Sequence, residues 1–524
     1  MTDTAGQKLK KIISSFPVTI KSPNVFDDVV VTGICFDSRE VEPGDIYVAL
    51  KGGNFDGHTF ISDAINRGAV AIIGQDSQST ELSTPYFKVN NSREAMAYLS
   101  AAYYDFPARK LAVIGVTGTD GKTTTTNIIH QILLSAGMKA GMISTVNAVI
   151  GDKILDTGFH VTTPESPSVQ KYLATMVDEG ITHVVLEATS HGLAQERVTA
   201  CEFDIGVVTN ITHEHLDYHG TYEEYFGAKA RLFDLFSSIK KKNVTVNSCA
   251  VLNKDDISFQ KLDNLLDIPK VIYACDSKMV SLYAQDIRLS RSGIDFRVVG
   301  DEIDQNVHYP YPGRYNVSNC LAAICATVYG LGIPVHIAGS AINDIEVIPG
   351  RMEQIDLGQD FAAIVDFAHT PNALREAICS AKEMTDKRVI AIFGSAGLRD
   401  KLKRRMMSEI SLSLADITVL TAEDPRIEDL NGILDEMSKA AEGAGGIEGK
   451  NFYRILDRGE AIKFGVFMAE KGDIVIACGK GHEQSMCFGE IEYNWDDRTA
   501  MRSALAARLN IAGPKMPYLP TQDR

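Results

Sequence analysis

The sequence lacks any apolar stretch long enough to cross a membrane or to direct export. No run of about 18 apolar residues, the length that a membrane-spanning helix needs, occurs in the chain. The opening residues, MTDTAGQKLKKIISSF, contain no apolar segment of signal-peptide length. We therefore expect a cytoplasmic protein that does not insert into membranes.

Cysteine shows none of the patterns that indicate disulfides or a zinc site. The nine cysteines are scattered over 524 residues, are odd in number and include no C-x-x-C pair. This distribution predicts free thiols in a reducing compartment.

An excess of positive charge is also lacking. The chain has 52 Lys and Arg against 68 Asp and Glu, a formal net charge of −16, and no basic stripe. Because nucleic-acid binding depends on clustered positive charge, we do not expect nucleic acid as a partner. Small-molecule substrates and a monomer are the expectation.

The length and the order of the predicted elements indicate three α/β domains. A chain of 524 residues exceeds what one hydrophobic core usually serves. Apolar runs typical of buried parallel strands alternate with helical patterns, and the predicted strands are 46–50, 69–74, 182–188, 203–210, 249–253, 361–369, 388–397, 415–426 and 473–483. We place the domains at residues 1–107, 108–348 and 349–524, with a small first domain and a Rossmann-like, doubly wound sheet in the third.

The segment GVTGTDGKT, residues 115–123, joins a strand pattern to a helical pattern and resembles a phosphate-binding loop. The usual P-loop has Gly where this chain has Val116. The residues present can still turn backbone N–H groups, a cation and a hydroxyl toward phosphate and Mg²⁺; they are Gly118, Gly121, Lys122 and Thr123. We predict a nucleotide-binding ATPase-type sheet in the central domain.

A cluster of acids and histidines follows two central strands. The segment THEHLDYHG, residues 212–220, holds His213, His215, Asp217 and His219. A hydrolase metal motif, H-x-H-x-D-H, fails at its last position, which is Tyr218, and a merely polar loop is a further alternative. We favour a magnesium site, because Mg²⁺ between phosphates prefers oxygen-rich ligands with few nitrogens, which Thr123, Glu187 and His215 can supply.

The loop spacing G-x-x-G-K-T resembles the ATP loop of the Mur ligase family, whose members add amino acids to the nucleotide-linked precursor of bacterial peptidoglycan. TNITHEHLDYHG, residues 209–220, is similar to the family's TN-x-x-x-DHLDYHG, and DFAHTP, 366–371, to its D-Y-A-H-T-P. The motifs occur in the family's order over roughly residues 33–500. The family's Asn in the loop is Asp120 here, so we expect an extra negative charge near the phosphates.

The resemblance implies an ATP-dependent, ADP-forming carboxylate–amine ligase that works through an acyl phosphate with ATP and Mg²⁺. The implied catalytic residues are Lys122, Glu187, His215 and a carbamylated Lys229, and the implied metal ligands are Thr123, Glu187, His215 and Lys229. From the residues alone, Lys229 on the predicted helix 221–236 would be a solvated lysine. The implied ATP-binding residues are Gly118, Thr119, Asp120, Gly121, Lys122, Thr123, Thr124 and Asn316.

Within the family, the chain resembles the enzymes that add the third amino acid to a UDP-N-acetylmuramoyl dipeptide. The likeness is carried by FDSREVEPGDIYVAL, TTPE and EATSHGLAQERV at residues 36–50, 162–165 and 187–198. It implies that the UDP-linked substrate is bound by Ser38, Asn54, Thr162, Thr163, Thr189, Gln195 and Arg197.

The incoming amino acid is the open question. By resemblance it would be bound by Arg399, Glu423, Asp424, Pro425, Arg426, Gly479 and Glu483. Arg426 favours meso-diaminopimelate, since it can pair with the distal carboxylate. Asp424, where the family's tetrad D-N-P-R has Asn, favours lysine or ornithine, and Arg426 could instead pair with Asp424. A folylpolyglutamate synthetase-like ligase and a non-catalytic precursor-binding regulator are the remaining alternatives.

Overall fold

The computed structural model describes residues 6–14, 28–52, 55–76, 82–155, 163–212, 214, 216–236, 242, 244–290 and 293–523. Three successive parts of the chain each build their own sheet, which confirms the prediction of three α/β domains. Residue 107 lies between the last long helix of the first part and the first strand of the second, and residue 348 lies between the second and third sheets.

The N-terminal part forms a four-stranded parallel sheet. The described residues of this part contain six strands in all: β1 (Gln7–Lys8), β2 (Val30–Val31), β3 (Gly33–Cys35), β4 (Asp45–Val48), β5 (Ala71–Gly74) and β6 (Tyr86–Lys88). Its helices are α1 (Leu9–Ser14), α2 (Ile61–Asn66) and α3 (Ser92–Tyr103), with a 3₁₀ turn at Gly57–Phe60. The sheet has the order β3-β4-β5-β6, while β1 and β2 pair separately.

The central part forms an eleven-stranded sheet. Its strands are β7 (Ala112–Thr117), β8 (Ala140–Ile143), β9 (Ala148–Ile150), β10 (Lys153–Leu155), β11 (His183–Glu187), β12 (Ile205–Val208), β13 (Cys249–Asn253), β14 (Lys270–Ala274), β15 (Leu282–Ser290), β16 (Gly293–Gly300) and β17 (Ile303–Tyr309). Its helices are α4 (Lys122–Ser135), α5 (Ser166–Asp178), α6 (Ser190–Ala194), α7 (Leu216–His219), α8 (Tyr222–Asp234), α9 (Phe259–Leu265), α10 (Tyr315–Ile324) and α11 (Val335–Asn343). Short 3₁₀ helices lie at Pro107–Lys110 and Thr199–Cys201, and a π-helical segment, Cys325–Tyr329, follows α10.

The strand order of this sheet positions the phosphate loop. The order is β10-β9-β8-β11-β7-β12-β13-β14-β15-β16-β17, so β7 lies between β11 and β12, which follow it in the chain. Strands β8, β11, β7, β12, β13 and β14 run parallel. Ligands bind at the carboxyl ends of parallel strands where the strand order reverses, and β7 occupies that place.

Both faces of the central sheet are covered, as the continuous apolar runs predicted. Ile114 and Val116 of β7 belong to the core cluster that includes residues of α4, α10 and α11. Val113 belongs to the cluster on the other face, which includes residues of α5, α6 and α8.

The C-terminal part forms a six-stranded sheet of order β18-β19-β23-β20-β21-β22, in which five strands run parallel. The strands of this sheet are β18 (Glu353–Gln354), β19 (Ala362–Asp366), β20 (Val389–Phe393), β21 (Ile417–Leu420), β22 (Phe452–Arg454) and β23 (Ile474–Cys478). A separate hairpin consists of β24 (Ser485–Phe488) and β25 (Ile491–Asn494). Its helices are α12 (Pro371–Glu383), α13 (Lys401–Leu414), α14 (Leu430–Gly443), α15 (Arg458–Met468) and α16 (Asp497–Leu509), with a 3₁₀ turn at Pro520–Asp523. Each predicted strand overlaps an observed one.

The state of the cysteines and the length of the helices also bear on the sequence predictions. All nine cysteines carry free thiols. Among the described helices, none is both long and apolar enough to span a bilayer.

Candidate active site

The phosphate loop needs glycine at two positions. Gly118 has a φ of +152° and Gly121 a φ of +81°, and α4 begins directly after Gly121. A Cβ on Gly118 would lie 1.9 Å from Thr209 Oγ1, and one on Gly121 would lie 2.3 Å from Asn319 Oδ1. The sequence therefore folds into a tight strand–turn–helix that leaves the N-terminal N–H groups of α4 available to an anion.

The predicted ATP-binding residues gather at this turn. Lys122 Nζ lies 2.8 Å from the carbonyl oxygen of Thr119, to which it donates a hydrogen bond. Asn316 on α10 is buried and accepts a hydrogen bond from Asn319 Nδ2 at 3.0 Å. Because Asn319 also contacts Thr125 of α4, at 3.4 Å, Asn316 is held near the start of that helix.

Glu187 meets the phosphate loop because β11 pairs directly with β7. The register places Glu187, the last residue of β11, opposite Val116. Its Oε2 accepts hydrogen bonds from Thr123 Oγ1 at 3.0 Å and from the Thr145 backbone N–H at 3.1 Å, and its side chain is buried. Two oxygen donors at one strand end match the preference of Mg²⁺.

Lys229 is buried and is therefore not the solvated lysine that the residues alone, without the family resemblance, suggested. It is 1% exposed on α8, and its Nζ donates to the Gly118 carbonyl oxygen at 2.5 Å. Burial, with the nearby Lys122 charge, lowers the pKa of Lys229 well below its usual value. The structure thus brings a weakly basic amine against the phosphate loop.

Part of the acid and histidine cluster lies outside the described residues. This applies to His213, to the predicted metal ligand His215 and to the side chain of Asp217. Glu214 and His219 are described and buried. The His219 ring lies against Tyr225 of α8, with ring centres 5.4 Å apart.

Several predicted substrate-binding residues form one hydrogen-bonded group beside Glu187. Thr163 Oγ1 donates to the Glu187 carbonyl oxygen and accepts from the Thr189 backbone N–H, both at 3.1 Å. Arg197 donates to the Thr163 carbonyl oxygen at 2.7 Å and to Gln195 Oε1 at 2.8 Å. This group is a neutral, hydroxyl-rich set of donors around one arginine.

The remaining predicted substrate contacts are less connected. Asn54 and Thr162 lie outside the described residues. Ser38 is buried in the N-terminal domain, and within the described part of the chain it makes no hydrogen bond to Arg197 or its neighbours. The pattern analysis missed Glu165, whose carboxylate pairs with Arg197 at 2.8 Å.

The C-terminal strand ends bring the predicted amino-acid-binding residues together. Both carboxylate oxygens of Asp424 lie 3.0 Å from Lys480 Nζ, and the Cys487 backbone N–H donates to Asp424 Oδ1 at 2.9 Å. Lys480 also pairs with Glu483 at 2.5 Å. The suggested pairing of Arg426 with Asp424 is therefore wrong, because Asp424 is already engaged by a lysine that the sequence pattern did not single out.

Arg426 and Glu423 flank this ion pair. Among the described residues, none forms an ion pair or side-chain hydrogen bond with the half-buried Arg426 guanidinium. Glu423 is buried, and in the part of the chain that the structure describes its Oε2 has no hydrogen-bond partner; burial raises its pKa to about 7 despite the Arg458 and Lys480 charges.

Gly479 and the Arg399 loop border the same site. Gly479 has a φ of +112°, and a Cβ there would lie 2.2 Å from a Glu423 oxygen. The exposed Arg399 lies in the loop after β20, where the Gly397 backbone N–H donates to the Asp424 carbonyl oxygen at 3.0 Å, next to the buried Pro425.

The C-terminal domain reaches the phosphate loop directly. Arg351 Nη2 lies 3.1 Å from Thr123 Oγ1, and Asn372 Nδ2 donates to Asp120 Oδ2 at 3.0 Å. Burial and the neighbouring Glu214 raise the pKa of Asp120. Arg351 follows the Pro-Gly pair at residues 349–350, where the predicted third domain begins, and the sequence motifs did not single it out.

Comparisons with known proteins agree with this geometry. Residues 30–104, 116–327 and 350–481 match the profiles described as "Mur ligase family, catalytic domain", "Mur ligase middle domain" and "Mur ligase, glutamate ligase domain". The UDP-N-acetylmuramoyl-L-alanyl-D-glutamate–2,6-diaminopimelate ligase of Geobacillus kaustophilus is 38% identical, over 91% of this chain and 95% of its own.

Two further relatives support the same similarity. The UDP-N-acetylmuramyl-tripeptide synthetase of a Roseiflexus species is 38% identical, over 91% of this chain and 94% of its own. A solved structure of a UDP-N-acetylmuramoyl-L-alanyl-D-glutamate–2,6-diaminopimelate ligase superposes with a TM-score of 0.66 at 29% identity, covering 96% of this chain and 99% of that one.

Proposed function

We propose that this chain, which belongs to the Mur ligase family and is an ATP-dependent ligase, adds meso-2,6-diaminopimelate to UDP-N-acetylmuramoyl-L-alanyl-D-glutamate. The relatives named for this reaction cover nearly the whole chain. The observation that carries the choice of amino acid is the Lys480–Asp424 ion pair.

This ion pair removes the reason to favour lysine or ornithine. A bare Asp424 carboxylate would attract a distal ammonium and repel a distal carboxylate. Lys480 contacts both oxygens of Asp424 in a buried ion pair, so that carboxylate is not bare, while the described residues leave Arg426 without a carboxylate partner. A guanidinium pairs well with a carboxylate, and of the three amines only diaminopimelate carries a second carboxylate at its distal end.

The residues of the loop support phosphoryl transfer from ATP to the substrate carboxylate. The γ-phosphate of ATP passes to that carboxylate, the amine attacks the acyl phosphate, and phosphate leaves. Lys122 and the N–H groups at the start of α4 would offset the charge on the phosphates. Thr123, Glu187 and His215 would hold Mg²⁺, which supplies further charge neutralisation when bound.

We assign Lys229 a carbamate. A lysine attacks CO₂ only as the neutral amine, forming an N–C bond and releasing one proton, and its lowered pKa supports that form. The product is a carboxylate close to Lys122 and Glu187, both of which influence the Lys229 charge. It would add an oxygen ligand to the magnesium site.

The remaining assignments divide the work among the three domains. Residues 1–107 would bind the uridine part through Ser38 and Asn54, and residues 108–348 would bind ATP and the dipeptide through Thr162, Thr163, Thr189, Gln195 and Arg197. Residues 349–524 would bind the diamino acid. We propose that the enzyme is a cytoplasmic monomer whose product supports wall growth, and with it cell shape and division.

The test is kcat/KM for meso-diaminopimelate, L-lysine and L-ornithine with the UDP-linked dipeptide. We expect diaminopimelate to be preferred at least tenfold, about 1.4 kcal/mol in the transition state. Arg426→Ala should lower kcat/KM for diaminopimelate far more than for lysine. A tenfold preference for lysine or ornithine would contradict the role of Arg426. Phosphate release only with folate and glutamate would indicate a folylpolyglutamate synthetase-like ligase. No phosphate release with any amine would indicate a non-catalytic regulator that binds the precursor.

A further inference from the structure

Glu214 is a buried carboxylate to which the proposed reaction assigns no role. It lies in the central domain, in the segment that follows β12, and its side chain is 4% exposed. Lys403 Nζ of the C-terminal domain lies 3.3 Å from Glu214 Oε1, and His369 Nε2 lies 3.7 Å from the same oxygen. One central carboxylate therefore meets two C-terminal elements.

Lys403 supplies the opposite charge in this contact. His369 Nδ1 lies 3.0 Å from the Phe367 carbonyl oxygen, which can only accept, so this nitrogen carries the ring proton. Burial and the Lys403 charge lower the pKa of His369 to about 4, which leaves the ring neutral at neutral pH. Glu214 and Lys403 thus form an ion pair across the domain boundary, with the His369 ring beside it.

We propose that Glu214 is a positioning residue that docks the C-terminal domain over the phosphate loop through Lys403. A buried charge is unfavourable without its partner, so the closed arrangement is stable only when the two side chains meet in this register. In an open arrangement water would solvate both charges. The pair therefore selects one docked position of the C-terminal domain.

The Glu214–Lys403 pair fixes α12 and α13, which lie next to the proposed diamino-acid site. Lys403 lies in the first turn of α13, four residues after Arg399. His369 precedes α12, whose Asn372 donates to Asp120 in the phosphate loop. Docking through Glu214 would therefore bring the proposed diamino-acid site to the acyl phosphate, and to this extent the inference rests on the proposed function.

The first experiment compares Glu214→Gln with Glu223→Gln, an equal charge change at an exposed position of α8. We expect Glu214→Gln to raise the KM for the diamino acid and lower kcat, together reducing kcat/KM at least about tenfold. The Kd of a non-hydrolysable ATP analogue should not rise, because the substitution removes a negative charge near Asp120 of the phosphate loop, and the far-UV circular dichroism spectrum should match wild type. Equal behaviour of the two variants would overturn the proposal.

The second experiment is a double-mutant cycle with Lys403→Met, read by kcat/KM and by small-angle X-ray scattering with the ATP analogue and the UDP-linked dipeptide bound. The kcat/KM of the double variant should be no lower than that of either single variant. Lys403→Arg should retain closure. The variants that lack the ion pair should keep a larger radius of gyration than wild type. Independent, multiplying losses or an unchanged radius would overturn the docking role. The radius does not depend on which amine is the substrate, so it separates this inference from the proposed function.

Discussion

Lys229 shows how burial changes the charge preference of a common residue. On an exposed helix face its amine would be protonated and solvated, but here it contacts the Gly118 carbonyl oxygen in a buried site. Burial and the Lys122 charge lower the pKa of this amine, which favours the neutral form that the proposed carbamate requires.

We expect Lys229→Ala to reduce kcat on the order of a hundredfold or more, the size of effect typical when a charge-stabilising group is lost. Added formate or acetate should restore part of the activity by replacing the lost carboxylate, and intact mass under CO₂ should show the carbamate on the wild type only. Lys171→Ala, at an exposed position of α5, is the matched control. Wild-type activity of Lys229→Ala would exclude a catalytic carbamate.

Glu423 provides a prediction on pH. Its pKa is raised from 4.5 to about 7 in the folded protein, so the native state binds more protons than the unfolded state between these values. Stability should therefore fall as the pH rises from about 4.5 to 7 and then level off, by at most roughly 3 kcal/mol from this group.

Glu423→Gln lacks this ionisation, so its Tm relative to wild type should rise between pH 5 and pH 8. Thermal unfolding of both proteins across this range measures the difference, and Glu490→Gln at an exposed turn is the control. Parallel curves for Glu423→Gln and wild type would show that the carboxyl titrates normally.

At the scale of elements, the unit β7–loop–α4 depends on the backbone conformation of Gly118. A side chain there faces both an unfavourable φ and a clash with Thr209 Oγ1, whose hydrogen bond to the Asp120 carbonyl oxygen holds the loop closed. Gly137, just after α4, also has a positive φ, of +74°, but a Cβ there meets no atom of the described residues within 4 Å.

Gly118→Ala meets a clash and a φ far outside the left-handed helical region, whereas Gly137→Ala meets only a φ near that region, so Gly137→Ala is the mild control. We expect Gly118→Ala to lower stability by about 1–3 kcal/mol more than Gly137→Ala and to weaken binding of an ATP analogue. Urea unfolding and calorimetric titration measure the two effects. If both variants bind the analogue equally, the loop tolerates a Cβ and its glycines are not needed for phosphate contact.

At the scale of the whole molecule, the C-terminal domain has a core of its own. One hydrophobic cluster runs from Met352 to Leu519, and its buried members all belong to this domain. A domain with its own core can fold alone.

We expect a fragment of residues 349–524 to unfold cooperatively, with a free energy of unfolding in the usual range of about 5–15 kcal/mol. Circular dichroism and thermal unfolding test this, with a fragment that begins inside β19 as the control for a misplaced boundary. A fragment 349–524 without a cooperative transition would contradict the boundary at 348.

The sequence by itself determined the features that depend on neighbours along the chain. Strand patterns such as 249–253, the Gly-Lys-Thr turn and the order of the family motifs are local, since spacing and residue type specify them directly. The same local signals identified the ligase family and most of the residues now gathered around Glu187.

Only the tertiary structure decided the environments of the charged side chains. Lys229 meets Gly118 across 111 residues of chain, Lys480 meets Asp424 across 56, and Lys403 meets Glu214 across 189. Whether each charge is solvated, neutralised or buried depends on which distant group the fold brings within a few ångströms, because the energy of a charge depends on its solvent and its nearest partner. That is why the pattern could single out Asp424 and Arg426, while only the fold showed the lysine that pairs with Asp424.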